Sequence, residues 1–438
     1  MPVRYLIAGN GPAGFTAANT IREQDPAADI QVVGAEKHDF YSRPGLAYYL
    51  TGQIPEGQLF SRPGKELAKN GINRTVGTVQ SVDPRAHRVE LADGKVLRYD
   101  RLLLAVGAGA VRPETEGINL GGVVTFDSLD DARLILKLAK KGKTAVVVGG
   151  GITAIELAEG FTAHGVATHY LLRGDRYWAS VLDARESAVV EERLEHDGIV
   201  IHRNSELARV TGHRDKVTGI ETKEGTRIAC DILGVAVGTQ PRLELARQIG
   251  LETGRGIFAD QTLATSEPDI FVAGDAAEVL DPVSGKRGID ALWGVAIAHG
   301  RIAGVNMTGG AETYRRPAPF NVTKIGGVTT TLIGAVGGGG RDGDLIALAR
   351  GDSQAWRDQL DGFAVATDHG ANHLRLMLSE DRILGAVVMG EQSLSRPLLH
   401  LIRDRVDIRE VRHRLVDGHA EIRAAVQHLM RPAVPHAV

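Results

Sequence analysis

Two glycine-rich turns carry most of the chemistry legible in this chain, Gly9-Asn10-Gly11-Pro12-Ala13-Gly14 and Gly149-Gly150-Gly151-Ile152-Thr153-Ala154. Both follow the spacing that suits a dinucleotide. Gly9 and Gly149 permit the bend, Gly11 and Gly151 let a pyrophosphate approach the backbone, and Gly14 and Ala154 let a helix pack closely on the preceding strand. The phosphates then meet a helix N-terminus. Pro12, Ala13 and Ile152 lie inside the same turns and share their candidacy.

A glycine pattern of this kind means little without a strand before it and a helix after it. The apolar run Tyr5 to Ala8 and the helical stretch Phe15 to Ile21 supply that setting for the first turn. For the second it comes from the β-branched run Thr144 to Val148, which suits a buried parallel strand. A further strand, Ile30 to Val33, leads to Glu36, 22 residues beyond Gly14, where a carboxylate can accept from a ribose diol. After the second turn the corresponding strand is Thr168 to Leu172, and the carboxylate is missing: Leu172 and Arg173 stand there. Arg173 or Arg176 could attract a 2′-phosphate, or could simply be solvated, so NADH and NADPH both stay open.

The chain holds a single cysteine, Cys230, at the start of an apolar strand, where it reads as a small buried hydrophobe. One thiol gives no internal disulfide and cannot ligate an iron-sulfur cluster. At 438 residues, 43% hydrophobic and 24% charged, two or three globular domains are expected. A net charge of −3 gives no footprint for nucleic acid. No apolar stretch reaches membrane-spanning length, and the first strand begins too soon after Met1 for a secretory leader, so a cytoplasmic protein is expected.

Further segments extend the pattern. Tyr99 to Ala108 precedes the second turn, Asp231 to Pro241 follows it, and the strand Ile270 to Ala273 runs into Gly274-Asp275. In this order the segments resemble the FAD-dependent pyridine nucleotide-disulfide oxidoreductase superfamily over residues 3 to 308. The resemblance implies an α/β fold with two Rossmann-like domains: an FAD domain in two parts, 1–112 and 243–316, interrupted by an NAD(P)-binding domain, 113–242. A C-terminal α+β interface domain, 317–438, completes it. Tyr41-Ser42-Arg43-Pro44-Gly45-Leu46 is similar to the Arg-Pro segment of rubredoxin reductases and of the flavin part of nitrite reductases.

Cofactor contacts follow from the resemblance. FAD is expected on Gly9, Gly11, Pro12, Ala13, Gly14 and Glu36, with Arg43 and Pro44 beside the pyrophosphate or flavin. Val79 is expected to meet adenine through its backbone, and Ala105, Gly107 and Gly238 to lie where the chain crosses between the nucleotide domains. Gly274 and Asp275 are expected at the ribityl chain, with a helix from about Ala276 aimed at a phosphate. Trp293 is the candidate ring contact, and His299 stands where relatives often carry glutamine. NADH or NADPH is expected on Gly149, Gly151, Ile152 and Ala154, with Glu156 able to orient the nicotinamide or to form a helix salt bridge, and Arg173 near the ribose. No catalytic residue is assigned, and no metal is expected.

The family's redox thiols fall where this chain has Ser42, Arg43 and Pro44, none of which can cycle through a disulfide. Electrons from NAD(P)H and FAD are therefore expected to leave for an external acceptor: rubredoxin, ferredoxin or a partner subunit. Direct reduction of oxygen or a quinone, and a non-catalytic flavoprotein whose nucleotides regulate assembly, are the alternatives. In the C-terminal third, strands are expected at Phe320–Ile325, Thr329–Val336, Leu345–Arg350 and Asn372–Leu378. A helix with Leu394, Leu398, Leu399, Ile402 and Val406 on one stripe should follow, in a domain able to form a homodimer. The basic face Arg403 to Arg414 is interleaved with acids and reads as solvated, or as a landing site for an acidic carrier. His369 and His373 share a turn, with metal binding the minor reading.

Overall fold

Strand Arg4–Ala8 is buried from Tyr5 onward and pairs in parallel with Asp29–Gly34 on one side and Arg101–Leu104 on the other. A computed structural model describes residues 2–60, 65–281, 285–336, 372–416 and 419–430 of the chain. Its first sheet runs in the order Ile270–Val272, Arg101–Leu104, Arg4–Ala8, Asp29–Gly34, Asn73–Val76, all parallel. The late strand thus closes the early sheet. A second parallel sheet has the order Val200–His202, Ala167–Leu171, Thr144–Val148, Ile232–Val235, Val123–Val124. This is the doubly wound α/β architecture that the two fingerprints demanded.

Each fingerprint turns directly into a helix, Pro12–Gln24 and Ile152–Ala163, capped by Gly11 and Gly151. Pro12 sits at the first helical position, where its missing N–H costs nothing. Gly9 has φ of +124° and Gly149 of +149°, and a side chain on either would strike a carbonyl, Ala105 O at 2.0 Å or Ala236 O at 2.2 Å. Helix Pro12–Gln24 lies against Trp293–Met307, and a methyl group on Gly300 would come within 2.2 Å of the Ala13 carbonyl oxygen. Close backbone approach therefore fixes the first turn from two sides.

Between the two parallel sheets the chain crosses twice, through Ala108–Ala110 and Thr239–Pro241, and these crossings pair with each other as antiparallel strands. The carboxyl-terminal part is a four-stranded antiparallel sheet in the order Phe320–Ile325, Val328–Gly334, Ile383–Met389, His373–Leu378. The expected strand Leu345–Arg350, the run Gly337–Gly340 and His369 lie outside the described residues. One face of this sheet joins the core of the second parallel sheet through Ile325, Leu332 and Val387. Its other face packs on Leu398, Leu401 and Ile408.

The helix bearing Leu398 spans Ser395–Arg403, shorter than the apolar stripe suggested. Arg405 adopts φ of +50° and ends it, so Val406 lies beyond. The basic stretch is self-compensated in part: Arg403 pairs with Asp404 and Arg409 with Asp407, all solvent-facing.

Candidate functional site

The carboxyl ends of the first sheet's strands open into a cavity of about 640 Å³. Gly9, Gly11, Pro12 and Ala13 form its floor, Val79 one end, and Ala105, Gly107, Gly274 and Asp275 its far wall. Glu36, Arg43, Pro44 and Trp293 also line it, so residues spread from 9 to 293 in sequence converge on one space. Gly14 does not line it; a side chain there would come within 2.0 Å of the Gly9 carbonyl oxygen, and its role is to seat the helix.

Two observations show room and an unused acceptor beside the first fingerprint, as a bound dinucleotide requires. A side chain on Gly11 would meet nothing within 4 Å, so the floor above the helix N-terminus is open at the place where a phosphate would rest. The buried side-chain oxygen of Asn10 has no partner among the described residues.

Electrostatics concentrate at one wall. Glu36 accepts a hydrogen bond from the Tyr41 hydroxyl at 2.7 Å and pairs with Arg43. Arg43 also donates to the Asp127 backbone carbonyl. Burial works against the Arg43 charge, but Tyr41, Glu36, Asp127 and Asp275 outweigh it and hold the guanidinium above its ordinary pKa. Burial likewise pushes the Tyr41 phenol far up, so it remains a donor. Tyr41, Asp127 and Arg242 are cavity residues to which sequence reasoning gave no role. Tyr41 opens the Arg-Pro segment and could have been read with Arg43; Asp127 and Arg242 carry no local signal.

Trp293 opens its helix with its ring 5.7 Å from Phe40, which stacks on Phe15 at 4.3 Å. His299, two turns along, is 1% exposed and its Nδ1 accepts the Gly274 N–H at 3.3 Å. Burial lowers its pKa to about 4, so the ring is neutral and braces the Gly274 turn. The helix expected from Ala276 is absent. Gly274–Ala276 is a single 3-10 turn, and Ala277–Leu280 is a strand paired with Ile257–Ala259. Trp293–Met307 is instead the helix that reaches the cavity.

At the second fingerprint, Gly150 and Gly151 have open space above them, whereas Ile152 and Ala154 are buried in the core. Gly238 takes φ of +118° beside the crossing strand Thr239–Pro241. Arg173 is exposed at the end of Ala167–Leu171. Glu156 is half-buried on helix Ile152–Ala163 and faces a separate cavity of about 430 Å³, which also includes Pro44, Glu159 and Lys324. Burial raises the Glu159 carboxyl to about 8, only partly offset by the Gly327 N–H.

Cys230 is 5% exposed within the core of the second sheet. Burial and Asp231 push its thiol up to about 12, and it lines neither cavity. His373 lies near Asp183 and Glu186, a grouping that could ligate a metal, but Arg375 already donates to both Glu186 oxygens at 2.9 and 3.0 Å. The arrangement is an ionic clasp between a helix of the second half and the C-terminal sheet.

The profile of the pyridine nucleotide-disulphide oxidoreductase family matches residues 3–300, which span both fingerprints and the Gly274-Asp275 turn. The chain belongs to this family. It is an FAD-containing, NAD(P)H-dependent oxidoreductase, with its first fingerprint opening on the cavity just described. The ferredoxin–NAD(+) reductase component of the biphenyl dioxygenase system of Paraburkholderia xenovorans is 31% identical over 80% of this chain and 84% of its own length. The rubredoxin-NAD(+) reductase of Ectopseudomonas oleovorans is 29% identical over 78% of this chain and 89% of its own. A solved ferredoxin reductase from Rhodopseudomonas palustris superposes with a TM-score of 0.79 at 25% identity, covering 92% of this chain and 95% of that one. A putidaredoxin reductase in covalent complex with putidaredoxin shares the fold, with a TM-score of 0.82 at 22% identity, covering 97% and 99%. Among the described residues no helix is long and apolar enough to cross a membrane.

Proposed function

We propose that this protein moves electrons from NAD(P)H through FAD to a separate small redox protein of the rubredoxin or ferredoxin class. The observation that carries the reading is the position of Cys230, buried in a core outside both cavities. With no thiol at the cavity, electrons have no route to a protein disulfide. The similarity to reductases named for ferredoxin and rubredoxin supports an external carrier. A cytoplasmic location, where reduced nicotinamide nucleotides are available, fits this role.

The chain's own contribution is binding and orientation. FAD, when bound, would supply the redox chemistry: acceptance of a hydride from the nicotinamide and release of its electrons to the acceptor. Glu36 would accept from the adenosine ribose, while the Gly9–Gly14 turn and its helix N-terminus would hold the pyrophosphate. Arg43, held by Glu36 and Asp127, would offer guanidinium N–H donors to that pyrophosphate. Asp275 would accept from the ribityl chain, on a turn held by His299. Trp293 and Pro44 would bound the ring end, and Glu156, on the second cavity that Pro44 also lines, would be the group to orient the nicotinamide.

The test is anaerobic. Purified protein should carry flavin, the flavin should bleach on adding NADH or NADPH, and a rubredoxin or [2Fe–2S] ferredoxin should reoxidise it over many turnovers. Absent flavin, or flavin that neither nucleotide bleaches, would overturn the reading; faster turnover with oxygen or a quinone than with either carrier would reassign the acceptor.

A further inference from the structure

His299 lines neither cavity, yet it holds a turn that does. Strand Ile270–Val272 leads into Ala273, whose N–H donates to the Leu104 carbonyl at 3.1 Å. The next N–H, that of Gly274, leaves the ladder and donates to His299 Nδ1 at 3.3 Å. Gly274 takes φ of +74°, and a side chain on it would come within 3.2 Å of the Ala13 Cβ. One glycine conformation and one imidazole nitrogen thus set the turn, with Asp275 next along it in the cavity wall.

The bond dictates the state of the ring. Nδ1 accepts, so it carries a lone pair, and the proton of the neutral imidazole is on Nε2. A protonated ring carries hydrogens on both nitrogens and would set an N–H against the Gly274 N–H. The acceptor would be gone and a buried donor left unpaired. The ring has little room to turn aside: it is 1% exposed, and Tyr314 lies edge-on to it at 4.3 Å.

The charges around the ring do not offset its burial. Asp290 favours a charged imidazole, but it already accepts from the Tyr314 hydroxyl at 3.1 Å and from Arg316 at 2.8 Å. On the helix of His299 itself, Arg301 is exposed and pairs with Glu312. Helix Pro12–Gln24 meets that helix through Ala13, Ala17 and Thr20, none of them charged. Asp275 lines the cavity, where it acts on Arg43. Burial prevails and brings the ring down to about 4.

We propose that His299 is a positioning residue that makes FAD retention proton-linked: neutral, it holds the Gly274-Asp275 turn closed on the cofactor, and protonated, it lets the turn and the cofactor go. The inference rests on reading the first cavity as the FAD site. In the closed turn the ring titrates at about 4, whereas in an opened turn it meets solvent and returns to the ordinary 6.5. Between about pH 7.5 and pH 5 the closed form therefore loses up to about thirtyfold against the open one.

The experiment follows FAD leaving the oxidised holoenzyme, by flavin fluorescence after dilution, in steps from about pH 7.5 to pH 5. Release from the parent protein should quicken by about fivefold or more across that range. In His299→Gln, whose amide oxygen can accept the Gly274 N–H at either pH, the rate should stay within about twofold; in His299→Ala, which has no acceptor, release should be fast and equally flat. A brace without a proton would change the rate and leave the pH profile of parent and variants alike. No acceleration in the parent, or the same acceleration in His299→Gln, would overturn the proposal. Nitrogen-15 imidazole spectra of the parent need no variant: one ring should keep an unprotonated Nδ1 while FAD is bound and titrate at higher pH once FAD is removed. If no ring responds to FAD in this way, the proposal also fails. Protein purified without flavin defeats the wider reading, whereas flavin lost at one rate across the range defeats this inference alone.

Discussion

Gly300→Ala tests whether the cavity proposed for FAD is set by the contact between two helices. A methyl group there would lie 2.2 Å from the Ala13 carbonyl oxygen, 2.9 Å from its carbonyl carbon and 3.0 Å from its Cα. Ordinary contacts begin near 3.4 Å, so the backbone of Ala13 or the whole helix must retreat by about 1 Å. Overpacking of this kind costs about 1–3 kcal/mol, and a clash with backbone belongs at the upper end. Alanine returns about 1 kcal/mol through better helix propensity, leaving a net loss of about 2 kcal/mol. Because Ala13 lines the cavity floor, FAD affinity should fall by about 30-fold where the strain is released at the turn. Titration of the apoprotein with FAD gives the affinity, and thermal melts with and without FAD separate it from global stability. Gly304→Ala is the companion: its methyl would press on Thr20 at 2.8 Å and on the Ala17 carbonyl at 3.0 Å, away from the cavity floor, so stability should fall with little effect on FAD. Gly300→Ala protein that melts higher and binds FAD with unchanged affinity would refute the reasoning.

Three further outcomes are expected. Cys230→Ala should cost about 1 kcal/mol of stability through the small buried volume removed, while carrier-linked turnover stays within about twofold; lost turnover at unchanged flavin content would contradict the absence of thiol chemistry. His299→Gln should flatten the acid limb of stability: the folded imidazole, at about 4, binds its proton less readily than the unfolded one, so the native protein should weaken as pH falls from about 6.5 to 4, and melts across that window should lose this slope in the variant. Glu159→Gln should do the opposite at the alkaline side. A carboxyl raised to about 8 favours folding below the ordinary carboxylate range and loses that contribution as pH rises through 8, so the glutamine variant should melt higher than the parent at pH 9 and equally at pH 4; no difference at pH 9 would mean the carboxylate is well solvated.

The strand–turn–helix setting of both fingerprints was legible because its demands are local: Gly9 and Gly149 must adopt positive φ beneath a neighbouring carbonyl, and an apolar run leads into each. The helix expected after Asp275 failed for a tertiary reason. Ala276-Ala277-Glu278 has helical composition, but Ala277 pairs with Ile257 and the buried Glu278 carboxylate accepts the Gly256 N–H at 2.9 Å, so sheet pairing overrides propensity. Asp127 and Arg242 reach the Arg43 wall only because the second half folds against the first; no period or motif in the chain marks them. The early end of Ser395–Arg403 is likewise set by one backbone conformation at Arg405, a non-glycine position where sequence gives little warning.

The paired crossings Ala108–Ala110 and Thr239–Pro241 have a topological corollary. Val111 N–H donates to the Gly238 carbonyl at 3.0 Å, so the chain leaves the first sheet and returns to it one hydrogen bond apart. The second half is thus an insertion with adjoining ends, one that a short splice could excise without moving any strand of the first sheet. What resists excision is packing: a methyl on Gly160 would come within 2.5 Å of Leu50, so helix Ile152–Ala163 sits directly on the segment carrying Arg43 and Pro44. Severing the insertion would leave the early sheet intact in outline and strip the apolar backing from the cavity wall that carries Arg43 and Pro44.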